Sequence, residues 1–163
     1  FDFSKINYQS DSIQESRVFS ESYRKFMVKS SDHIKRQLNL KRKTVVEIGC
    51  GDGYFLDKFS SNSNCIGFEP SDESIESKNK GLNIINDYYD YNHSYSIKAD
   101  LIILRQVLEH LPNPLNFIRS FSENLLRESC EAFLYIEVPN SSKTLSLHRF
   151  PDFYYEHHHP GTV

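Results

Sequence analysis

Three of the six glycines in this 163-residue chain, Gly49, Gly51 and Gly53, fall within five positions of the stretch "VVEIGCGDGYFLDKF", directly after an apolar run. Lacking a Cβ, they permit positive φ and let a ligand lie against bare main chain. Glu69 stands 20 positions beyond Gly49, about where a carboxylate meets the hydroxyls of a nucleoside ribose in strand–turn–helix sites. The pair points to a ribose-bearing ligand. In "GCGDGY", however, Tyr54 occupies the place of the third glycine of the dinucleotide fingerprint, which disfavours NAD and FAD. Two other groups have proton-transfer chemistry: "RQVLEHLPNP", with Glu109 and His110, and "DFYYEHHHP", with Tyr154, Glu156 and His157. An imidazole with an ordinary pKa of about 6.5 suits a general base near neutrality.

These residues need elements to hold them. From about residue 13 to 38, Phe19, Tyr23, Phe26 and Met27 recur at helical spacing with polar residues between them, which predicts an amphipathic helix. Beyond it the period changes. "TVVEIG" (44–49), "CIGFE" (65–69), "LNIIN" (82–86), "ADLIILR" (99–105) and "AFLYIEV" (132–138) are short and nearly continuously apolar, as strands covered on both faces are. Between them "YFLDKFS", "SDESIESKNKG" and "NPLNFIRSFSENLLRE" suit helices, the last with Leu115, Ile118, Phe121 and Leu125 as its apolar face. Strands alternating with helices predict an α/β fold: a Rossmann-like, doubly wound, mainly parallel sheet preceded by a helix. The expected organisation is a helical segment and basic loop over 1–43, a nucleoside-binding domain over 44–140, and a tail over 141–163. That tail reads either as an active-site segment or as the cut-short end of the domain.

At this point the chain resembles the class I S-adenosylmethionine-dependent methyltransferases. "VVEIGCGDGYF" is similar to their first motif, "GFEPS" to the second, "NDYYD" to the third, "ADLIILRQVLEHL" to the fourth and "LYIEVPN" to their fifth-strand segment, in order over about 44–140. The resemblance implies S-adenosyl-L-methionine as cofactor. Glu47 and the backbone at Gly49, Gly51 and Gly53 would surround its methionine end, and Glu69 would hold the ribose. Asp87 would meet the adenine amino group with Pro70 and Tyr88 packed beside the ring, and Gln106 would lie beside the transferable methyl. Bland roles stand next to each: Glu47 as a buried strand carboxylate, Glu69 as a cap for a helix starting near Ser71, Asp87 as a turn residue, Gln106 as a neighbour of a helix start.

The runs Arg105–His110, Glu137–Pro139 and Tyr154–His157 further resemble the sugar C-methyltransferases, which act on nucleotide-linked keto-deoxysugars. That likeness implies a small-molecule acceptor, His157 as the base that takes a proton from a carbon beside a carbonyl, and Tyr154 and His110 steadying the carbonyl oxygen. Arg105 or the basic loop would meet the substrate phosphates. Tyr155 stands where that family usually has histidine, and an incidental origin for the run His157–His159 remains the competing reading. An oxygen acceptor on a quinone-like or glycan substrate, or a non-catalytic cofactor-binding remnant, are the alternatives.

Composition narrows the remaining classes. Nineteen basic against 22 acidic residues give a net charge of -3, so a general attraction to polyanions is not expected; the patch "KRQLNLKRK" (35–43) is the one motive for RNA. Cys50, Cys65 and Cys130 form no CxxC pair, so neither a disulfide framework nor a metal site is expected. With no apolar run of the roughly 20 residues a bilayer requires, the expected location is cytoplasmic.

Overall fold

The computed structural model describes residues 20–79, 81–90, 93, 96–127 and 131–146. Helix α1 (Glu21–Gln37) leads into strand β1 (Thr44–Ile48). The one-turn helix α2 (Tyr54–Asp57), β2 (Asn64–Phe68), α3 (Glu73–Asn79) and β3 (Asn83–Ile85) follow. Then come β4 (Leu101–Arg105), a 3₁₀ turn over Leu108–His110, α4 (Pro114–Arg127), β5 (Phe133–Glu137) and α5 (Ser141–Ser146). All five expected strands are present within a residue or two of their predicted limits.

The strands form one parallel sheet in the order β3-β2-β1-β4-β5. The chain builds outward from β1 through β2 to β3, then returns to lay β4 on the other side of β1. That reversal opens a crevice at the carboxyl ends of β1 and β4, the place where ligands bind in open α/β sheets.

Side chains alternate across the sheet. Val45, Leu101 and Ile103 pack with Met27 and Ile34 of α1 and with Phe55, Leu56 and Phe59. Val46, Ile48, Ile102 and Leu104 pack on the opposite face with Phe68 and Phe121. Each such fully buried aliphatic side chain contributes about 1.5–3 kcal/mol, and the layer they form makes β1 and β4 the buried centre of the sheet.

Three expectations need correcting. In α1 the buried stripe is Met27, Ser31 and Ile34, while Phe26 is exposed beside the Tyr23 ring; residues 13–19, with Phe19, lie outside the described part. In α4, Phe117, Ile118, Phe121 and Leu125 face the core, and Leu115 points away from it. Most tellingly, β5 is not covered on both faces. It is an edge strand among the described residues, and Phe133, Leu134 and Ile136 are exposed there. No helix among the described residues is long and apolar enough to cross a membrane.

Candidate functional site

The crevice is built from the glycine turn upward. Gly49, Gly51 and Gly53 all have positive φ, at 70°, 51° and 73°. The amides of Gly49 and Cys50 donate to the Phe68 carbonyl at 2.8 and 3.1 Å, which ties the start of the turn to the end of β2. The turn also has to be glycine at 49 for space: a Cβ there would come within 2.6 Å of Val107 Cγ2, just beyond β4.

Glu69 directly follows β2 and joins the glycine turn to its own loop. Its Oε2 accepts the Gly51 amide at 2.8 Å and its Oε1 accepts the Ser71 amide at 2.9 Å. The cap near Ser71 and the site role are therefore compatible. A carboxylate offers about four acceptor positions, and the two amides leave capacity for hydroxyl donors. Asn86, which sequence reasoning passed over, secures this corner by donating from Nδ2 to the Glu69 carbonyl at 2.9 Å.

Across the crevice, Gln106 follows β4 with φ 56°, a left-handed conformation rare for a residue with a side chain. Such a conformation costs on the order of 1–3 kcal/mol and persists where its surroundings enforce it. Here Glu137 enforces it. The Gln106 amide donates to the Glu137 carbonyl at 2.8 Å, and Gln106 Nε2 lies 3.5 Å from Glu137 Oε1.

Beneath the turn lies a buried charge cluster. Arg105 Nε donates to Glu137 Oε2 at 3.1 Å and Nη2 to Oε1 at 3.3 Å, while its guanidinium sits 4.1 Å from the Phe55 ring centre. Two tyrosyl hydroxyls, from Tyr23 and Tyr135, also donate to Glu137, each at 3.4 Å. Arg105 in turn donates to the Tyr23 hydroxyl at 2.8 Å. Glu47 has no such company. Its side chain is 2% exposed, its Oε1 is 3.8 Å from Arg105 Nη1, and its Oε2 makes no hydrogen bond. Burial pushes the Glu47 carboxyl up to about 8; Arg105 pulls it down only in part, and Glu137 and Asp52 add to the rise. The buried strand carboxylate expected at 47 is thus present, with the Leu56 backbone amide as its hydrogen-bond donor but with Oε2 unmet.

The same cluster corrects the role given to Arg105. With an 8% exposed side chain locked onto Glu137, it is a structural cation and not a phosphate contact. Nor does the basic loop reach the crevice. Lys43 precedes β1 and pairs with Asp100 at 2.8 Å at the amino edge of the sheet, a full strand length, roughly 15 Å, from the carboxyl edge.

Of the remaining candidates, Pro70 is half-buried beside Glu69, and Asp87 and Tyr88 are exposed on the loop after β3, at the same edge of the sheet. Asp87 Oδ1 accepts the Tyr88 amide at 2.7 Å, the turn role weighed for it. His110 closes the 3₁₀ turn after β4, next to the buried Glu109. Tyr154 and His157 lie outside the described residues. The structure therefore gathers Glu47, the three glycines, Glu69 and Gln106 at one crevice, with Asp87 and Tyr88 two strands away. Sequence reasoning missed Glu137 as the hub and Tyr23 as its partner from α1; residues 23, 105 and 137 meet only through the fold.

Comparison with known proteins agrees with this geometry. A family profile described as a methyltransferase domain matches residues 21–161. The chain is 31% identical over 101 residues to a tRNA U34 carboxymethyltransferase of Aliarcobacter butzleri, a match covering 56% of this chain and 33% of that protein. It therefore spans about a third of that curated relative. Among solved structures it is similar to a SAM-dependent methyltransferase from Archaeoglobus fulgidus, with a TM-score of 0.62, 22% identity, and 91% of this chain and 66% of that one covered. It also resembles the magnesium protoporphyrin IX methyltransferase of Synechocystis PCC 6803 with bound SAH, at a TM-score of 0.58 and 15% identity over 96% of this chain and 74% of that one. The glycine turn at the β1–β4 switch point, the carboxylate ending β2 and the family match over most of its length agree: this chain belongs to the methyltransferase domain family.

Proposed function

We propose that the chain binds S-adenosyl-L-methionine in the β1–β4 crevice and directs its methyl group to a small-molecule acceptor, most specifically a carbon of a nucleotide-linked keto-deoxysugar. The observation that carries the cofactor reading is the positive-φ glycine turn held against Glu69. The residues present fit the group. The turn offers bare main chain, Glu69 retains acceptor capacity for a ribose, and Glu47 keeps an unmet buried oxygen for a cationic tail. Asp87 and Tyr88 stand at the correct edge for an adenine.

When bound, the cofactor supplies an electrophilic methyl group. The chain has to position the acceptor and remove its proton, since an oriented pair of reactants gains most from placement. His157 is the proposed base, and Tyr154 and His110 the proposed donors to the acceptor's carbonyl oxygen. The support is the resemblance of the runs Arg105–His110 and Tyr154–His157, together with the place of His110 just beyond β4. Arg105 is excluded from substrate contact by its lock on Glu137.

A second reading, a tRNA acceptor, is favoured by the name of the Aliarcobacter butzleri relative. It gains nothing from the basic loop, which lies at the opposite edge of the sheet. Transfer of labelled methyl from the cofactor to a panel of nucleotide-linked keto-deoxysugars and to unfractionated tRNA separates the two. The expected result is label in a sugar nucleotide, lost in His157→Ala. Label in tRNA alone overturns the small-molecule assignment, and no transfer despite cofactor binding favours a cofactor-binding remnant.

A further inference from the structure

The cluster below the glycine turn holds one guanidinium between two carboxylates, and the two are served unequally. Glu137 receives two of the Arg105 hydrogen bonds and two tyrosyl hydroxyls. Glu47 is left with one backbone amide, that of Leu56, a 3.8 Å approach to Arg105, and one oxygen, Oε2, that makes no hydrogen bond. An ionised carboxylate in that position would be a buried charge without a full partner, a costly arrangement that a carboxyl group escapes by keeping its proton.

We infer that Glu47 is neutral in the empty crevice and gives up its proton when an ammonium-bearing aminoacyl tail arrives, so that cofactor binding is coupled to proton release. The inference rests on the cofactor reading above. It goes further by assigning the charge state of the binding residue and the reason for it, which is that Glu137 has already claimed the cation.

The surroundings of Glu47 support the direction. From β4 it faces Arg105, and from β5 the carboxylate of Glu137 with Tyr135 beside it. From the glycine turn it faces Asp52 and the Cys50 thiol, from β2 the Cys65 thiol, and from α2 the Leu56 amide. Tyr23 of α1 stands behind Arg105. Apart from Arg105 these groups are acidic or neutral, so a second cation is what the pocket lacks. On binding, the Glu47 O–H bond breaks, the proton passes to buffer, and the ammonium keeps its own protons as donors to the new carboxylate. Because the released proton is a product, affinity rises with pH over the range in which the empty site is protonated.

Calorimetry at pH 6.5 in phosphate and in imidazole buffer counts the protons exchanged. At that pH an α-amino group, with an ordinary pKa of about 7.7–8.0, remains charged. The expected result is close to one proton released per S-adenosylmethionine or S-adenosylhomocysteine bound. Release should be near zero for 5′-methylthioadenosine, which lacks the ammonium, and near zero for Glu47→Gln with any of the three. Binding with no buffer dependence, or equal release by Glu47→Gln, overturns the inference and leaves the cofactor reading intact. Absence of binding in every buffer overturns the cofactor reading instead. Infrared spectra of the protein without cofactor at pH 6.5 then still decide the charge state: a protonated-carboxyl band absent from Glu47→Gln is expected, and identical spectra would contradict it.

Discussion

At the amino edge of the sheet, Lys43 and the Thr44 amide both reach Asp100 at 2.8 Å, and Ser63 closes onto the Leu40 carbonyl at 3.0 Å. The polar groups there answer one another. At the carboxyl edge of the same strands, Gln106 is held in a left-handed conformation, three glycines take positive φ, and a buried Glu47 oxygen has no donor. Both edges have the same strands and the same core behind them. The difference lies in where the fold leaves interactions unmade: the quiet edge joins elements, and the strained edge keeps left-handed backbone and an unmet carboxylate oxygen, which the proposal above assigns to a ligand. It also explains why the basic loop, conspicuous in sequence, has no part in the crevice.

The sharpest way to break the contrast is to remove the hub of the strained edge. Glu137→Ala strands Arg105 in the interior and should cost about 3–5 kcal/mol in denaturant melts, the usual penalty for orphaning one member of a buried pair. Glu137→Gln, which keeps the shape and one acceptor oxygen, should cost less. Gly49→Ala comes next, because it demands both a left-handed residue and room that Val107 occupies. A loss of about 1–3 kcal/mol is expected, accompanied by weakened cofactor affinity; a melt and a titration like those of the wild type would show the turn to be more forgiving than its geometry.

A third effect depends on pH. The Glu47 carboxyl titrates near 8 in the folded chain and in the ordinary carboxylate range when unfolded, so the folded state holds the extra proton between those values. Stability relative to Glu47→Gln should therefore be greatest in mild acid, fall as pH rises toward 8, and level off above it. Thermal melts of the two proteins from pH 5 to 9 check the sign. The smallest effect belongs to the quiet edge: Lys43→Ala breaks a half-exposed pair with Asp100 and should cost no more than about 1 kcal/mol, with cofactor affinity unchanged. A large loss of cofactor binding in that variant would erase the distinction between the edges.

Much of the strained edge was legible in the sequence because its signals are local. The glycine spacing, the carboxylate ending "CIGFE" and the apolar runs each lie within a few residues, and they fixed the sheet, its parallel sense and the place of the crevice. The pairing of Arg105 with Glu137 was not legible. It depends on β4 and β5 lying side by side in register, Arg105 opposite Glu137, and on α1 delivering Tyr23 from 82 residues away. Arg105 read alone is an available cation, and only its neighbours show it to be spent. The exposure of β5 escaped for the same reason, since a continuous apolar run does not reveal whether a strand has neighbours on one side or two. Gly67, inside the run "CIGFE", is a further case: a Cβ there would press within 2.5 Å of Ile84 Cδ1 and 2.6 Å of Cys50 Sγ, so it lets the glycine turn seat on the sheet.

The central claim is that the glycine turn and Glu69 together form a nucleoside site. Titration of S-adenosylmethionine into the wild type and into Glu69→Ala tests it most directly. Saturable one-to-one binding by the wild type is expected, with at least tenfold weaker binding by the variant, equivalent to about 1.4 kcal/mol, and no binding of NAD by either. Equal affinities in the two proteins, or heat from NAD and none from S-adenosylmethionine, would contradict it.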